Sequence, residues 1–304
     1  MAFDLNRFYR ELDEHYGAHD NEKTEAFLKK SKETADRAGT PMPVNTGCPS
    51  CVPPLEPNWA FVSVCNEMAC FYRGLSRFEE SLATFEEAQK ELESLYQQRS
   101  TEYATVLLNK AGTYRYMGDT EKALEHFQKA ARIFEQHPDS PKTTLAGLYN
   151  NIGLVYLDQK KTEEALGSFV QAMNLLEAES DVLVETGTTW NNMAAALDIL
   201  GKTEEANMAL ENAIAILKEI DDGSNPHYPA ALNTRGTLKY RAGDYAAALE
   251  DFQAALEKTK LVYGENVEYA HGCRNCAAVC LAMGDDAGAE SWQQKADEIL
   301  KHLK

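Results

Sequence analysis

Residues 114–134 read YRYMGDTEKALEHFQKAARIF, and the same sentence returns as YLDQKKTEEALGSFVQAMNLL at 156–176, LDILGKTEEANMALENAIAIL at 197–217 and YRAGDYAAALEDFQAALEKTK at 240–260. Two further copies stand at 72–92 (YRGLSRFEESLATFEEAQKEL) and 280–300 (CLAMGDDAGAESWQQKADEIL). One small residue marks the register: Ser81, Ala123, Ala165, Ala206, Ala248 and Ala289, at spacings of 42, 42, 41, 42 and 41 residues. A fixed period of this size is the signature of a repeat architecture, in which each unit buries its apolar face only against its neighbours.

Within a unit the spacing predicts two helices. The first carries a small residue (Ala69, Ala111, Gly153, Ala194, Gly236, Ala277) three places before Tyr72, Tyr114, Tyr156 or Leu197 in the first four copies. Small residues there let the paired helices approach closely. A turn follows, with Gly118, Gly201, Gly243 or Gly284 where a left-handed residue ends a helix. Thr120, Thr162 and Thr203 then read as N-caps, each followed by a glutamate suited to the positive end of a helix dipole. The second helix places Phe85, Phe127, Phe169, Leu210 or Phe252 four residues after the marker, and Ala88, Ala130, Ala172, Ala213 or Ala255 three beyond that. This is helical periodicity with one stripe turned inward.

The 304 residues carry 48 acids against 30 bases, a formal net charge of −18. Nucleic-acid affinity comes largely from neutralising phosphates with Lys and Arg, so the charge argues against such a partner. The first residues, MAFDLNRFYRELDEHYG, hold acids where a secretory signal needs a basic and then an apolar run, and no stretch approaches the length of a membrane span. The expected location is the cytoplasm. Residues 1–38 are expected to form a helical cap of two amphipathic helices, over 3–16 and 21–38, with the question open whether they are a degenerate repeat. Residues 39–57 are expected to form a Pro- and Cys-rich loop and 58–304 to hold six repeats, divided at about 58–97, 98–138, 139–180, 181–221, 222–263 and 264–304.

Over about residues 58–303 the pattern resembles the tetratricopeptide repeat, whose usual unit is about 34 residues. The longer unit, with NPHYPAALN at 225–233 and GENVEYAHGCRN at 264–275, resembles the repeats of kinesin light chains and related bacterial proteins. Lys239 at the usual aromatic place and Gln293 in place of Phe depart from the pattern, the latter as suits an outer face that meets water. The resemblance implies an all-α fold, a right-handed α-solenoid of helix-turn-helix repeats, whose first helices line a concave surface.

Three and two places before the small residue of each first helix stand Asn66/Glu67, Leu108/Asn109, Asn150/Asn151, Asn191/Asn192, Asn233/Thr234 and Arg274/Asn275. Asparagine is a poor interior helix former, so eight amides on twelve such places call for a reason. A carboxamide presents an acceptor and two donors, enough to grip the C=O and N–H of an extended peptide. The resembled family implies that role: Asn66, Asn109, Asn150, Asn151, Asn191, Asn192, Asn233 and Asn275 would form a ladder holding a protein or peptide ligand. Alternatively, the amides bond to one another across adjacent helices or to water. Arg73 and Arg115 would receive a ligand carboxylate, while Asp158 and Asp198 would favour a basic segment.

Cys48-Pro-Ser-Cys51 has the spacing of a redox dithiol or half a zinc site. With Cys65 and Cys70 it reads C-x2-C-x13-C-x4-C, yet those two are roughly 140° apart around a helix, poor geometry for one ion. Cys273, Cys276 and Cys280 fall on one helical face at core places. The histidines His15, His19, His126, His137, His227, His271 and His302 are scattered, and no catalytic or phosphate-cradling motif is present. The expectation is a binding scaffold or adaptor without cofactor, not an enzyme. Two rivals are a zinc- or redox-responsive regulator using Cys48 and Cys51, and a scaffold that dimerises through its outer faces.

Overall fold

The computed structural model describes residues 3–18, 20–38, 57–94, 97–177, 179–221 and 225–302. Fourteen α-helices and no strand are found among the described residues. They are α1 (Leu5–Gly17), α2 (Asn21–Ala38), α3 (Trp59–Gly74), α4 (Phe78–Ser94), α5 (Thr101–Tyr116), α6 (Thr120–Glu135), α7 (Lys142–Asp158), α8 (Thr162–Leu176), α9 (Leu183–Ile199), α10 (Thr203–Glu219), α11 (His227–Arg241), α12 (Tyr245–Tyr263), α13 (Val267–Met283) and α14 (Asp286–His302). From α3 onward they pair as six repeats, each first helix packed along its second. The chain divides into two compact units, Met1–Ser140 and Pro141–Lys304. The fold is an all-α repeat solenoid.

The turn inside each repeat forms where glycine leads one to expect it. Gly118, Gly201, Gly243 and Gly284 take φ of 81°, 75°, 82° and 78°. Where repeats one and three lack the glycine, Ser76 and Lys160 adopt φ of 59° and 61°, a conformation costing about 1 kcal/mol for a residue with a Cβ. The capping assignment needs correction. Thr120, Thr162 and Thr203 are the first residues inside their helices, because the residue before each one already holds the non-helical entry conformation. At α6 the true cap is Asp119, whose carboxylate accepts from the Lys122 N–H at 3.1 Å. Lys161 and Lys202 precede α8 and α10 without a side-chain cap, and Glu163, Glu164, Glu204 and Glu205 in the first turns supply the favourable dipole interaction.

The recurring residues form the core. Phe85, Phe127, Phe169, Leu210 and Phe252 are all buried, as are the alanines three residues after each. The glycines of the first helices are close-approach points. A Cβ on Gly153 would lie 2.3 Å from the Phe169 ring, and one on Gly236 would lie 2.8 Å from Phe252. Helix α7 therefore rests directly against the edge of a phenylalanine ring. Ser81, where the other five copies have alanine, is fully buried and shares a 3.1 Å hydrogen bond with the Thr113 hydroxyl, which satisfies both groups.

Repeat five replaces part of this apolar contact with charge. Asp251 on α12 is buried, and Arg235 on α11 donates to both its oxygens, at 2.9 Å from Nε and 2.6 Å from Nη2. Lys239, at the place of the expected aromatic, completes the group at 2.8 Å. Burial alone pushes the Asp251 carboxyl up, but the bonds to Arg235 and Lys239 outweigh it and leave its pKa below the ordinary value.

At the amino terminus, α2 packs on α3 as α4 packs on α5, and α1 packs on α2. Phe8, Leu12, Leu28 and Ala35 join Val64, Met68, Phe71 and Tyr72 in one buried cluster. Arg77 fastens this pair to the first repeat: Nη1 reaches Glu25 at 2.6 Å, Nη2 reaches Glu80 at 2.5 Å, and its guanidinium lies 4.5 Å from the Tyr72 ring centre. The Arg77 hydrogen bond, aided by Lys29, holds Glu25 down at about 2. A depressed carboxyl stabilises the fold above its unfolded value and loses that contribution as pH falls from about 4.5 through about 2. Because Arg77 is one-third exposed and screened, the contribution is about 1–2 kcal/mol. Acid titration of unfolding should show this loss in the wild type and a flatter profile in Glu25→Gln; identical profiles would dissociate the clasp from stability.

Candidate functional site

The first helices of successive repeats lie side by side, α3 against α5 in the first unit, α7 against α9 and α9 against α11 in the second. Residues at matching places therefore meet across the helix boundary. In the first unit the Asn109 amide donates to the Asn66 carbonyl oxygen at 2.9 Å. In the second, Asn192 donates to Asn150 at 3.2 Å, and Asn150 donates back to the Thr189 hydroxyl at 2.8 Å. Thr189 in turn donates to the Glu185 carbonyl at 2.8 Å. Asn150, Asn192 and Thr189 are all buried. Asn150 is thus clamped between two residues of α9 one turn apart. A buried amide in a helix is stable when all its groups are paired, and this chain of bonds does that for Asn150.

A simple rule follows from these contacts. The amide two places before the small residue in one repeat donates to the amide three places before it in the preceding repeat. The other places depart from it, including Asn233, whose oxygen has no partner although Asn275 stands at the donating place of the next repeat. Asn151 donates to the Gly147 carbonyl of its own helix at 3.0 Å. Thr234, facing the level of Asn191, donates to Ala230 at 3.1 Å instead. The Asn191 and Asn233 carbonyl oxygens are each buried without a hydrogen-bond partner, while both residues are only half-buried overall. Asn275 is half-buried on α13.

The charged places have internal partners. Arg73 donates from Nη1 to the main-chain carbonyl of Asn109 at 2.9 Å, in space left by Gly112, whose absent Cβ would fall 2.8 Å from that nitrogen. Arg115 is half-buried and engaged within the protein. Asp198 pairs with Arg241 across α9 and α11. Asp158 is exposed and also engaged. Glu67 stands at an amide place in repeat one, and burial lifts its carboxyl above the ordinary range, against the lowering hydrogen bond from Asn66.

The structure adds residues that the sequence reading passed over. Ile199, Tyr240 and Leu281 are 52 %, 36 % and 61 % exposed, and each stands seven residues beyond Asn192, Asn233 and Arg274 respectively. Seven residues are nearly two full turns, so each apolar side chain shares a helix face with the earlier residue, about 10 Å further along. Tyr116 stands in the same relation to Asn109 in the first unit. In the repeat register Tyr240 and Leu281 stand at matching places, four residues after Gly236 and Ala277, whereas Ile199 stands five after Ala194.

The cysteines do not form a reactive centre within the described residues. Burial pushes Cys65 up to about 12 and Cys70 up to about 11, so both stay protonated thiols at neutral pH. Cys273, Cys276 and Cys280 are buried in the last repeat, where they pack as small apolar side chains. Among the described residues no group of three or more His, Cys, Asp and Glu is arranged to hold a metal ion. Cys48, Cys51 and His19 lie outside the described residues. No described helix is long and apolar enough to cross a membrane.

Comparison with known families places this geometry. The model of the tetratricopeptide repeat family matches residues 63–136, 144–219 and 228–302, well over half of the chain. The chain belongs to the tetratricopeptide repeat family. A search of curated proteins returned no match. Solved structures share the fold of this tetratricopeptide repeat protein at low identity. A Rap protein complexed with Competence and Sporulation Factor aligns with a TM-score of 0.70 at 16% identity, over 97% of this chain and 74% of that one. The Rap conjugation gene regulator of plasmid pLS20, in complex with the Phr* peptide, gives 0.67 at 16% identity, over 98% and 75%. TPR-like repeats assigned to a kinesin light chain of Podosopora anserina give 0.50 at 15% identity, over 66% and 94%. At such identities the likeness is one of fold. That fold is one of protein interaction.

Proposed function

We propose that this protein is a binding adaptor that holds an extended polypeptide along the first helices of its repeats, using side-chain amides for the main chain and the neighbouring exposed apolar residues for side chains. The observation that carries this reading is the alignment in the second unit. There α7, α9 and α11 stand side by side and bring Asn150, Asn191, Asn192 and Asn233 to matching levels, with Ile199 and Tyr240 about two turns further on. Asn151 and Asn275 extend the same series in sequence. A carboxamide grips a peptide unit without reading its side chain, so such a wall suits an extended chain of varied sequence. The two Rap proteins of similar fold are described with a factor or peptide bound, which supports the reading by analogy.

Asp158, Asp198 and the net charge of −18 favour a neutral or basic segment. No catalytic step belongs to this reading. The test is selection from a phage-displayed random peptide library by the intact chain. Enrichment of related sequences, with capture lost on Ile199→Asp combined with Tyr240→Asp and circular dichroism unchanged, is the expected result. Failure to enrich any sequence removes the reading.

A further inference from the structure

Resting on that peptide-holding reading, we infer that the asparagines divide into two classes. Asn66, Asn109, Asn150 and Asn192 are latches that fix one first helix against the next, whereas Asn191 and Asn233 are the ligand anchors.

The latches are already bonded to one another and, in the case of Asn150, to Thr189 as well. Asn66 accepts from Asn109, and Asn150 both accepts from Asn192 and donates to Thr189. A peptide competing for these groups exchanges one hydrogen bond for another and leaves a buried polar group orphaned elsewhere, so little is gained. Asn191 and Asn233 differ in kind. Their carbonyl oxygens have lost water and found no partner, so the desolvation cost is already present in the free protein. A half-turn about the last side-chain torsion breaks no acceptor bond, because the oxygen makes none, and both residues are only half-buried. A peptide N–H received there gains a hydrogen bond with little dehydration to offset it.

The sequence shows how the first anchor arises; at the second, Asn275 stands at the latching place, yet the Asn233 oxygen has no partner. Threonine at 234 replaces the amide that would latch Asn191, and its hydroxyl turns back to Ala230. The anchors sit on α9 and α11, which pack directly together. Neighbouring helix axes lie about 8–10 Å apart. A main chain in the polyproline II conformation repeats its direction every three residues, over about 9.3 Å. The ligand class assigned is therefore an extended segment in that conformation, giving N–H groups three residues apart to Asn191 and Asn233, with Ile199 and Tyr240 beyond for its apolar side chains.

The experiment compares the intact wild type with Asn191→Ala/Asn233→Ala and with Asn150→Ala/Asn192→Ala, in thermal unfolding and in capture of peptides that the wild type selects from a phage-displayed random library. The anchor variant should keep or raise the unfolding midpoint and lose about tenfold or more in peptide affinity. The latch variant should lose about 2–8 °C of midpoint and, well below that midpoint, keep its affinity within about threefold. Should the latch variant fail to fold, Asn192→Ala alone, which leaves Asn150 its bond to Thr189, makes the same comparison. A fall in midpoint for the anchor variant equal to that of the latch variant overturns the division, as does loss of capture in the latch variant with retention in the anchor variant. If the wild type selects nothing, the peptide-holding reading and the anchors fall together. Equal midpoints for the two variants would remove the latches as well.

Discussion

Replacing Phe169 with alanine should cost about 3–5 kcal/mol and bring the largest single loss of stability in the chain. The ring is fully buried between α7 and α8, and the absent side chain of Gly153 brings the α7 backbone against its edge. Leu154, Leu157, Leu166 and Met193 pack around the same cluster, but on the Gly153 side no side chain can move into the space. The opposing wall is helix backbone, which cannot repack as a side chain would. Denaturant unfolding followed by circular dichroism would measure the effect, and a loss below about 1 kcal/mol would show that α7 slides in to close the space. Phe169→Leu should cost less, about 1 kcal/mol, because most of the volume remains.

Removing the Asp251 carboxylate should have the second largest effect. Asp251→Ala strands Arg235 and Lys239 beside an apolar helix with their charges unbalanced. Breaking one side of a buried pair costs about 3–5 kcal/mol when the orphaned charge stays buried. Here both cations keep roughly a third of their side chains exposed and can turn to water, so about 2 kcal/mol is expected. The depressed carboxyl also gives a sign for pH. Its contribution is complete above the unfolded aspartate value near 4 and disappears as pH falls through the lower folded value. Stability of Asp251→Ala should therefore converge on that of the wild type in acid. A constant gap between the two at every pH would mean that packing, not charge, is what the substitution removes.

The fold was legible because its determinants are local and repeated. Period, small residue, turn glycine and core phenylalanine each recur at matching places, and six noisy copies average into one clear signal. Helix entry was less legible: Thr120, Thr162 and Thr203 look like caps, but a preceding Asp or Lys already holds the non-helical conformation. Lys239 stood out as a misfit at an aromatic place, and the acid that explains it, Asp251, lies twelve residues away on the partner helix. The concentration of asparagines was visible, but not how they divide. Which amide meets which depends on how neighbouring first helices align, a property of packing between units and not of any one unit's sequence. The stripe of Ile199, Tyr240 and Leu281 was missed because isolated apolar residues near helix ends look ordinary until their exposure is known.

The glycine-to-phenylalanine contacts reach further than local stability. In the second unit, repeats three and five set Gly153 and Gly236 against large rings, whereas repeat four sets alanine, Ala194, in a cluster with the smaller Leu210. Bulk is thus matched within each pair, so modules that read as copies are not interchangeable parts. Exchanging the second helices of repeats three and four would leave one joint overfilled and the other hollow, so lineages that reshuffle such modules must carry both halves of a pair together.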